Sequence, residues 1–290
     1  MSPASTDAPT PSTPQPDGVR LEQVHGSDAI VVRTPAAEAV LHLDGAHLTS
    51  WIPAGEDDLL WLSPDSHFGR GAAIRGGIPL IGPWFGPGRD GDRPTKHGWL
   101  RNVRWDLVSA ALEGDDVVLE LSTPEETDEL TAKAVFRLGA GLSVDLTVIA
   151  GEEPLELEAA LHTYLSVSDV RSIEIAGLEN AEYLDNTRGL AADVLGDEPL
   201  QLTGSTDRIV DAAGEVTVSD RTRRIVSIPR GTTKTVVWNP WDELARGMDD
   251  VPDDAWPQFV CVEPAVAKDR FIALAPEESY TLGVSYRIEH

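Results

Sequence analysis

The chain has 290 residues, 41% of them hydrophobic, and its 49 Asp and Glu against 23 Lys and Arg give a net charge of −26. That is enough apolar content for a real core, and so acidic a chain is excluded as a general binder of DNA, RNA or anionic membrane, which need basic surfaces. The single cysteine, Cys261, allows no internal disulfide, no apolar run has the length of a membrane helix, and the N-terminus lacks the basic and apolar regions of a signal peptide; the expected location is the cytoplasm.

The opening "MSPASTDAPTPSTPQPD" has no periodicity and reads as a disordered tail, placed at residues 1–18, because it cannot bury enough to offset its ordering entropy. From 19 to 290 the pattern is that of one β domain. Strands are expected at 29–34, 38–43, 48–52, 58–63, 103–112, 116–122, 132–138 and 142–150, where apolar and polar residues alternate between Gly, Pro or Asp. "LEGDDV" (112–117) reads as a hairpin turn. The alternation of "LELEAALHTYLSVS" (155–168) is the longest in the chain, and after a gap strands resume at 224–228, 234–238, 258–263 and 279–288. "DELARGM" (242–248) suggests one short helix. So many short strands without a linker or fixed repeat imply an all-β fold, a large β-sandwich or barrel.

The charge balance inverts in one place. Between Arg70 and Arg104 stand seven cations (Arg70, Arg75, Arg89, Arg93, Lys96, Arg101 and Arg104) against Asp90 and Asp92 only. The stretch is rich in Gly and Pro and carries Trp84, Phe85 and Trp99. Three residues nearby or far along the chain suit acid–base chemistry. His97 lies in "TKHGWLR", four residues before Arg101. His162 shares a polar strand face with Glu156, Glu158 and Tyr164, which is either a solvated face or a concave surface that binds something polar. Glu263 shares a face with Phe259 and Cys261 at the end of an apolar strand before Pro264. It either points to water or is desolvated enough for its pKa to rise into the range of a working base. Cys261 reads as a small core side chain, and His25, His42, His47, His67 and His290 as structural or surface residues. No P-loop, dinucleotide fingerprint, nucleophile elbow or cysteine-built zinc site is present.

The blocks "IRGGIPLIGPWFGP", "HGWLR", "LHTYLSVSD", "STDRIV", "VVWNPW" and "FVCVEPA" occur in that order between about residues 20 and 289. Together they resemble the glucose-6-phosphate 1-epimerase (hexose-6-phosphate mutarotase) branch of the aldose 1-epimerase family. The resemblance implies a large sandwich of the galactose-mutarotase type with the sugar on one concave sheet. It implies His162 as general acid, Glu263 as general base and His97 as a supporting group near the ring or C1 oxygen. It also implies Arg75 and Arg101 as phosphate contacts, Lys96 as one more, and Asp207 as a ligand of sugar hydroxyls. The basic island then has a purpose: a phosphosugar carries about two negative charges near neutral pH, and a chain this acidic would repel it without a local cationic patch. Trp84, Phe85 or Trp99 would stack on the sugar or pack into the core.

The implied reaction exchanges α and β anomers. It needs no cofactor and no metal, its partner is a hexose 6-phosphate, and the expected state is a monomer. Two other readings fit parts of the pattern. One is a sandwich that binds phosphosugars or other glycans without turnover, for which an acid and a base would be superfluous. The other is a mutarotase of neutral aldoses, which would leave Arg75 and Arg101 without a phosphate.

Overall fold

A computed structural model of the chain describes residues 15–124, 129–221 and 223–290. Four antiparallel strands, Val19–Val24, Ser27–Arg33, Ala37–His42 and His47–Pro53, form a meander in chain order. Two eight-stranded sheets make the body. One runs Glu174–Ala176, Val216–Asp220, Arg223–Arg230, Ser279–Glu289, Leu142–Ala150, Leu130–Leu138, Asp116–Ser122, Asp106–Glu113. The other, which carries the site, runs Ala191–Val194, Glu182–Asp185, Thr206–Val210, Lys234–Asn239, Phe259–Val266, Ala159–Leu161, Leu80–Ile81, with Tyr164–Ser166 also paired to Phe259–Val266.

The sheets share one core, as alternation requires. Val144, Leu146, Val148, Leu282 and Val284 from the first meet Leu161, Val237, Val260, Val262 and Val266 from the second. Each such fully buried side chain contributes about 1.5–3 kcal/mol. The Tyr286 hydroxyl donates to Thr163 Oγ1 at 2.7 Å across the layers. Leu130–Leu138 and Leu142–Ala150 are buried at every second residue, whereas Phe259–Val266 is buried at every position. The site sheet is therefore covered on both faces. Its outer face meets loops, and Phe85, Ala160, Ile209, Val236 and Ala265 form a second, smaller apolar cluster there.

The all-β sandwich and the Gly114–Asp115 hairpin turn are as the pattern implies. Four expectations differ. Segment 58–63 forms only isolated bridges, Leu60 with Leu165 and Leu62 with Gly76, because it crosses the sheet edge instead of joining a ladder. The long run 155–168 is broken into Leu155–Leu157, Ala159–Leu161 and Tyr164–Ser166, since Glu158 and His162–Thr163 bond to loops and turns instead of one neighbour. The supposed gap at 169–223 holds strands Glu174–Ala176, Glu182–Asp185, Ala191–Val194, Thr206–Val210 and Val216–Asp220. These are three to five residues long, too short to show a period, and they exist because neighbours pair with them. The helix is shorter and earlier than expected, Trp241–Ala245. Of the expected tail, residues 1–14 lie outside the described residues, while Pro16 and Gly18 already accept backbone hydrogen bonds from Val19 and Arg33.

Two histidines of the meander are sealed in as neutral rings. His47 donates from Nε2 to the Gly76 carbonyl at 2.7 Å, and burial holds its pKa at about 3. Burial, aided by His25, takes His42 down to about 4. A pKa depressed on folding means that the unfolded chain binds the proton first. The stabilisation is complete above the ordinary value of 6.5 and is lost as pH falls below it. Urea denaturation should therefore show stability falling between pH 6 and pH 4. In His47→Gln that slope should be shallower by about 1.4 kcal/mol per pH unit, the value of one proton; an unchanged slope would mean that His47 titrates in the folded protein.

Candidate active site

The register of the site sheet assembles the centre. Ala160 pairs with Ala265 and Tyr164 with Cys261, so the same register places His162 opposite Glu263. Side chains opposite one another on one sheet face stand about 5 Å apart at Cβ, and here His162 Nε2 lies 3.3 Å from Glu263 Oε1. Both residues are buried, at 8% and 1% exposure. His162 Nδ1 and Glu263 Oε2 have no protein partner, so each group keeps a free hydrogen-bonding atom. Burial pushes the Glu263 carboxyl up, with Asp207 adding to the effect, and pushes His162 down, with His97 and Arg101 adding. Their mutual contact favours the opposite, charged pair. Burial alone thus disfavours the charge on each group, and the contact between them opposes it.

Neighbouring rows complete the wall. Asp207 pairs with Trp238, and Trp238 with Cys261. Asp207 is held by the Asn186 side-chain amide at 2.7 Å, and burial raises its pKa. The His162 ring stacks on Tyr164 at 5.0 Å and meets the edge of Trp238 at 6.0 Å.

Two glycine-bearing loops bring in the rest. Gly76 has φ 116° and a Cβ there would overlap the Trp61 carbonyl; only glycine lets the chain pass so close and aim Arg75 at the sheet. Gly98 has φ 66° and a Cβ would overlap the Gly82 carbonyl, which accepts from Trp99 and Leu100 at 2.9 and 3.2 Å. That turn positions His97 and Arg101 on either side. His97 itself has φ 69°, and its Nδ1 accepts from the Gly86 N–H at 3.3 Å. The ring proton is thus on Nε2. Burial and four surrounding cations, Arg101 foremost, hold the ring neutral with a pKa of about 3, and its edge meets His162 at 5.7 Å.

These groups line a cavity of about 370 Å³. It brings together every residue expected from the sequence: Arg75, Lys96, His97, Arg101, His162, Asp207 and Glu263. The basic island divides into two sets. Arg75 is tied to Asp250 at 2.8 Å and to the Tyr164 hydroxyl at 2.9 Å. Arg104 pairs with Asp28, Arg89 with Glu156, and Arg93 lies over Trp84. Arg101, by contrast, has no carboxylate within ion-pair distance among the described residues. It donates to the Lys96 carbonyl at 3.0 Å while its Nε is buried without a partner. Burial disfavours its charge first and Arg75 adds to this, while Tyr164, Asp250 and Glu263 nearby act the other way. A largely desolvated cation with no direct ion pair, beside exposed Lys96, is a place for an anion.

Of the aromatic candidates, only Phe85 reaches the cavity. Trp84 donates to the Thr95 carbonyl, and Trp99 donates to Glu129 and packs against the core. Trp238, Asn186 and Asp250 were not singled out in the sequence. Trp238 alternates with Val236 on the face that pairs toward Glu263, which is the one signal that marks it. Cys261 lies with His162 and Glu263 so that their donor atoms are all within 4.8 Å of one another. Arg75 and Arg101 press positive charge on that trio, and burial keeps the thiol protonated, so the centre favours an anion over a metal cation.

A profile of the aldose 1-epimerase family matches residues 28–287. The chain belongs to the aldose 1-epimerase family. It is 38% identical to an Escherichia coli protein over 252 residues, 83% of this chain and 84% of that one. A Salmonella typhimurium relative is 34% identical over 255 residues, 84% of this chain and 85% of the other. Both carry the provisional name glucose-6-phosphate 1-epimerase. The crystal structure of a Salmonella typhimurium protein provisionally called a mutarotase superposes with a TM-score of 0.87 at 29% identity, covering 95% of each chain. A galactose 1-epimerase from Lactobacillus acidophilus shares the fold with a TM-score of 0.69 at 15% identity, over 92% of this chain and 96% of that one. The sandwich is therefore of the galactose mutarotase type, and the family assigns an isomerase activity of the mutarotase kind on an aldose or phosphosugar.

The two arginines should differ on removal. Arg75→Ala breaks a partly buried ion pair and a hydrogen bond, and should lower stability by about 1.5–3 kcal/mol. Arg101→Ala removes a cation that gains little from the fold, and should change stability by less than about 1 kcal/mol. Thermal and urea denaturation of both variants read this directly, and equal losses would contradict the division.

Proposed function

We propose that this protein interconverts the α and β anomers of a hexose 6-phosphate, glucose 6-phosphate being the substrate class favoured, by acid–base ring opening and closure. The observation that carries the proposal is the largely buried Arg101, without a direct ion pair among the described residues, in the same cavity as the buried His162–Glu263 pair. A binding protein has no use for the pair, and a mutarotase of neutral sugars has none for the cation. Lys96 and Arg75 supply further donors to the phosphate. Asp207 and Asn186 take sugar hydroxyls, and Phe85 and Trp238 offer apolar ring surface.

The proton bookkeeping closes within the pair. With the ring form bound, Glu263 is ionised and His162 protonated. Glu263 takes the proton of the C1 hydroxyl while His162 protonates the ring oxygen, and the bond from C1 to that oxygen breaks. The open aldehyde then faces a protonated Glu263 and a neutral His162. After rotation about C1–C2 the same two protons return and the ring closes with the other anomer. No proton leaves the site, and the total stays at one on the pair. Neutral His97, with its Nε2–H free, donates to the oxygen on which charge develops. The reaction as written requires neither a metal nor a cofactor. The same proposal takes the protein to act as a cytoplasmic monomer, with a hexose 6-phosphate as its partner and neither nucleic acid nor membrane.

Exchange spectroscopy at the anomeric proton tests this, with glucose 6-phosphate and glucose compared at equal concentration. The phosphosugar should exchange faster. Glu263→Gln and His162→Ala should each slow exchange by about a hundredfold or more with the fold intact; near wild-type rates in either would remove the mechanism. Because burial drives His162 down and Glu263 up, uptake of a second proton should occur well below pH 6.5. The rate should therefore begin to fall on the acid side only below the ordinary imidazole value of 6.5; an inflection at 6.5 would contradict a buried, depressed His162.

A further inference from the structure

We propose that Lys268, which lies far in sequence from the basic island, is a specificity-determining residue that contacts the anionic group of the substrate. The proposal rests on the phosphosugar reading and adds to it a residue from a different loop.

Three observations lead to it. The first is position. Lys268 Nζ stands 5.8 Å from the centre of the Phe85 ring, and close to Gly86, where an added Cβ would meet it at 4.0 Å. Phe85 and Gly86 both line the cavity, while Lys268 stands behind them and lines a neighbouring pocket with Asp211, Lys234 and Asp269. The ammonium also acts on two other cavity residues, lowering the pKa of His97 and of Asp207, as Lys96 does from the opposite loop. The second is the lack of a partner. Lys268 is half-buried, and among the described residues no carboxylate lies within ion-pair distance of its ammonium, whereas neighbouring Lys234 is bound to Asp211 and Asp269, and Arg270 to Asp211. The third is the backbone. Lys268 has φ 60°, a left-handed conformation that is unfavourable for lysine and that persists only where the surroundings impose it. What imposes it is Glu158, at 1% exposure, whose two oxygens accept the backbone N–H of Lys268 at 2.7 Å and of Phe85 at 3.2 Å. One buried carboxylate thus ties the loop bearing Lys268 to the loop bearing Phe85 and His97. His97, across Phe85, is held in the same left-handed region.

The chemistry is that of a point charge. An ammonium at the rim can follow a phosphate without demanding the planar, paired geometry of Arg101. Lys96 and Lys268 then close on the anion from two sides, which distinguishes a phosphorylated from a neutral sugar.

The test uses Lys268→Gly, because glycine adopts the left-handed conformation freely and the loop should keep its path. KM for glucose 6-phosphate should rise about three- to tenfold, with kcat and the KM for glucose little changed and the melting temperature unchanged or higher. Lys268→Arg should restore most of the loss. Inorganic phosphate, added as a competitor of either sugar, reads the same contact: its Ki should rise by a similar factor in Lys268→Gly. Unchanged KM and Ki would overturn the assignment, as would equal losses on both sugars, which would make Lys268 a loop-building residue only. A wild-type enzyme with no preference for the phosphorylated sugar would instead defeat the phosphosugar reading, and the phosphate Ki would still decide the role of Lys268.

Discussion

Everything at this centre depends on placing a carboxyl and an imidazole against each other away from water. Either group alone, buried on an apolar sheet, would shed its charge: Glu263 would stay protonated and His162 neutral. Held 3.3 Å apart, each offers the other the opposite charge that burial alone disfavours. The strand register that pairs Ala160 with Ala265 and Tyr164 with Cys261 fixes that distance. The shared core fixes the register in turn. Val260 and Val262 face inward beside Leu161, and a one-residue slip would turn Glu263 into the core and Val262 into the cavity.

The second constraint is electrostatic and works on the scale of the whole chain. A protein of charge −26 keeps most of its cations close to carboxylates, and the structure does so even within its one basic segment, through Arg75 with Asp250 and Arg104 with Asp28. Of the cations left without such a partner among the described residues, Arg101 and Lys96 line the cavity. Arg101, Lys96 and Lys268 remain without carboxylate partners among the described residues, and the neutral ring of His97 sits among them.

Two of the nine non-glycine residues with left-handed backbone among the described residues stand beside the cavity. His97 and Lys268 both adopt left-handed backbone, and both flank Phe85. Glu158 is the buried anchor between the two loops. It looks like one more member of an alternating polar face, yet it faces neither solvent nor ligand; both of its oxygens are spent on backbone N–H groups. The site is built by loops that are rigid because the sheet beneath them supplies hydrogen bonds at fixed points.

Much of this was legible in the chain itself. Period-two alternation gave the sandwich, because a sheet buried on one face must alternate. The ordered motif blocks carried Arg75, His97, Arg101, His162, Asp207 and Glu263, and the local inversion of charge marked the segment that brings Arg75, Lys96, His97 and Arg101 to the cavity. The sequence also left real ambiguities. It offered Glu263 and His162 as either solvated or buried, and it offered Trp84 and Trp99 as equals of Phe85. Tertiary structure decided these, since burial on the second face of the site sheet comes from loops distant in sequence. The short strands between 174 and 220 had no period to read and are strands only because neighbours pair with them. Trp238 reaches the cavity through cross-strand register, and Asp250 touches it through its ion pair with Arg75. The chain by itself determined which residue types were available and which way each strand faced. Only the folded sheet decided which of them meet, because pairing between strands a hundred residues apart is set by packing of the shared core and leaves no local trace.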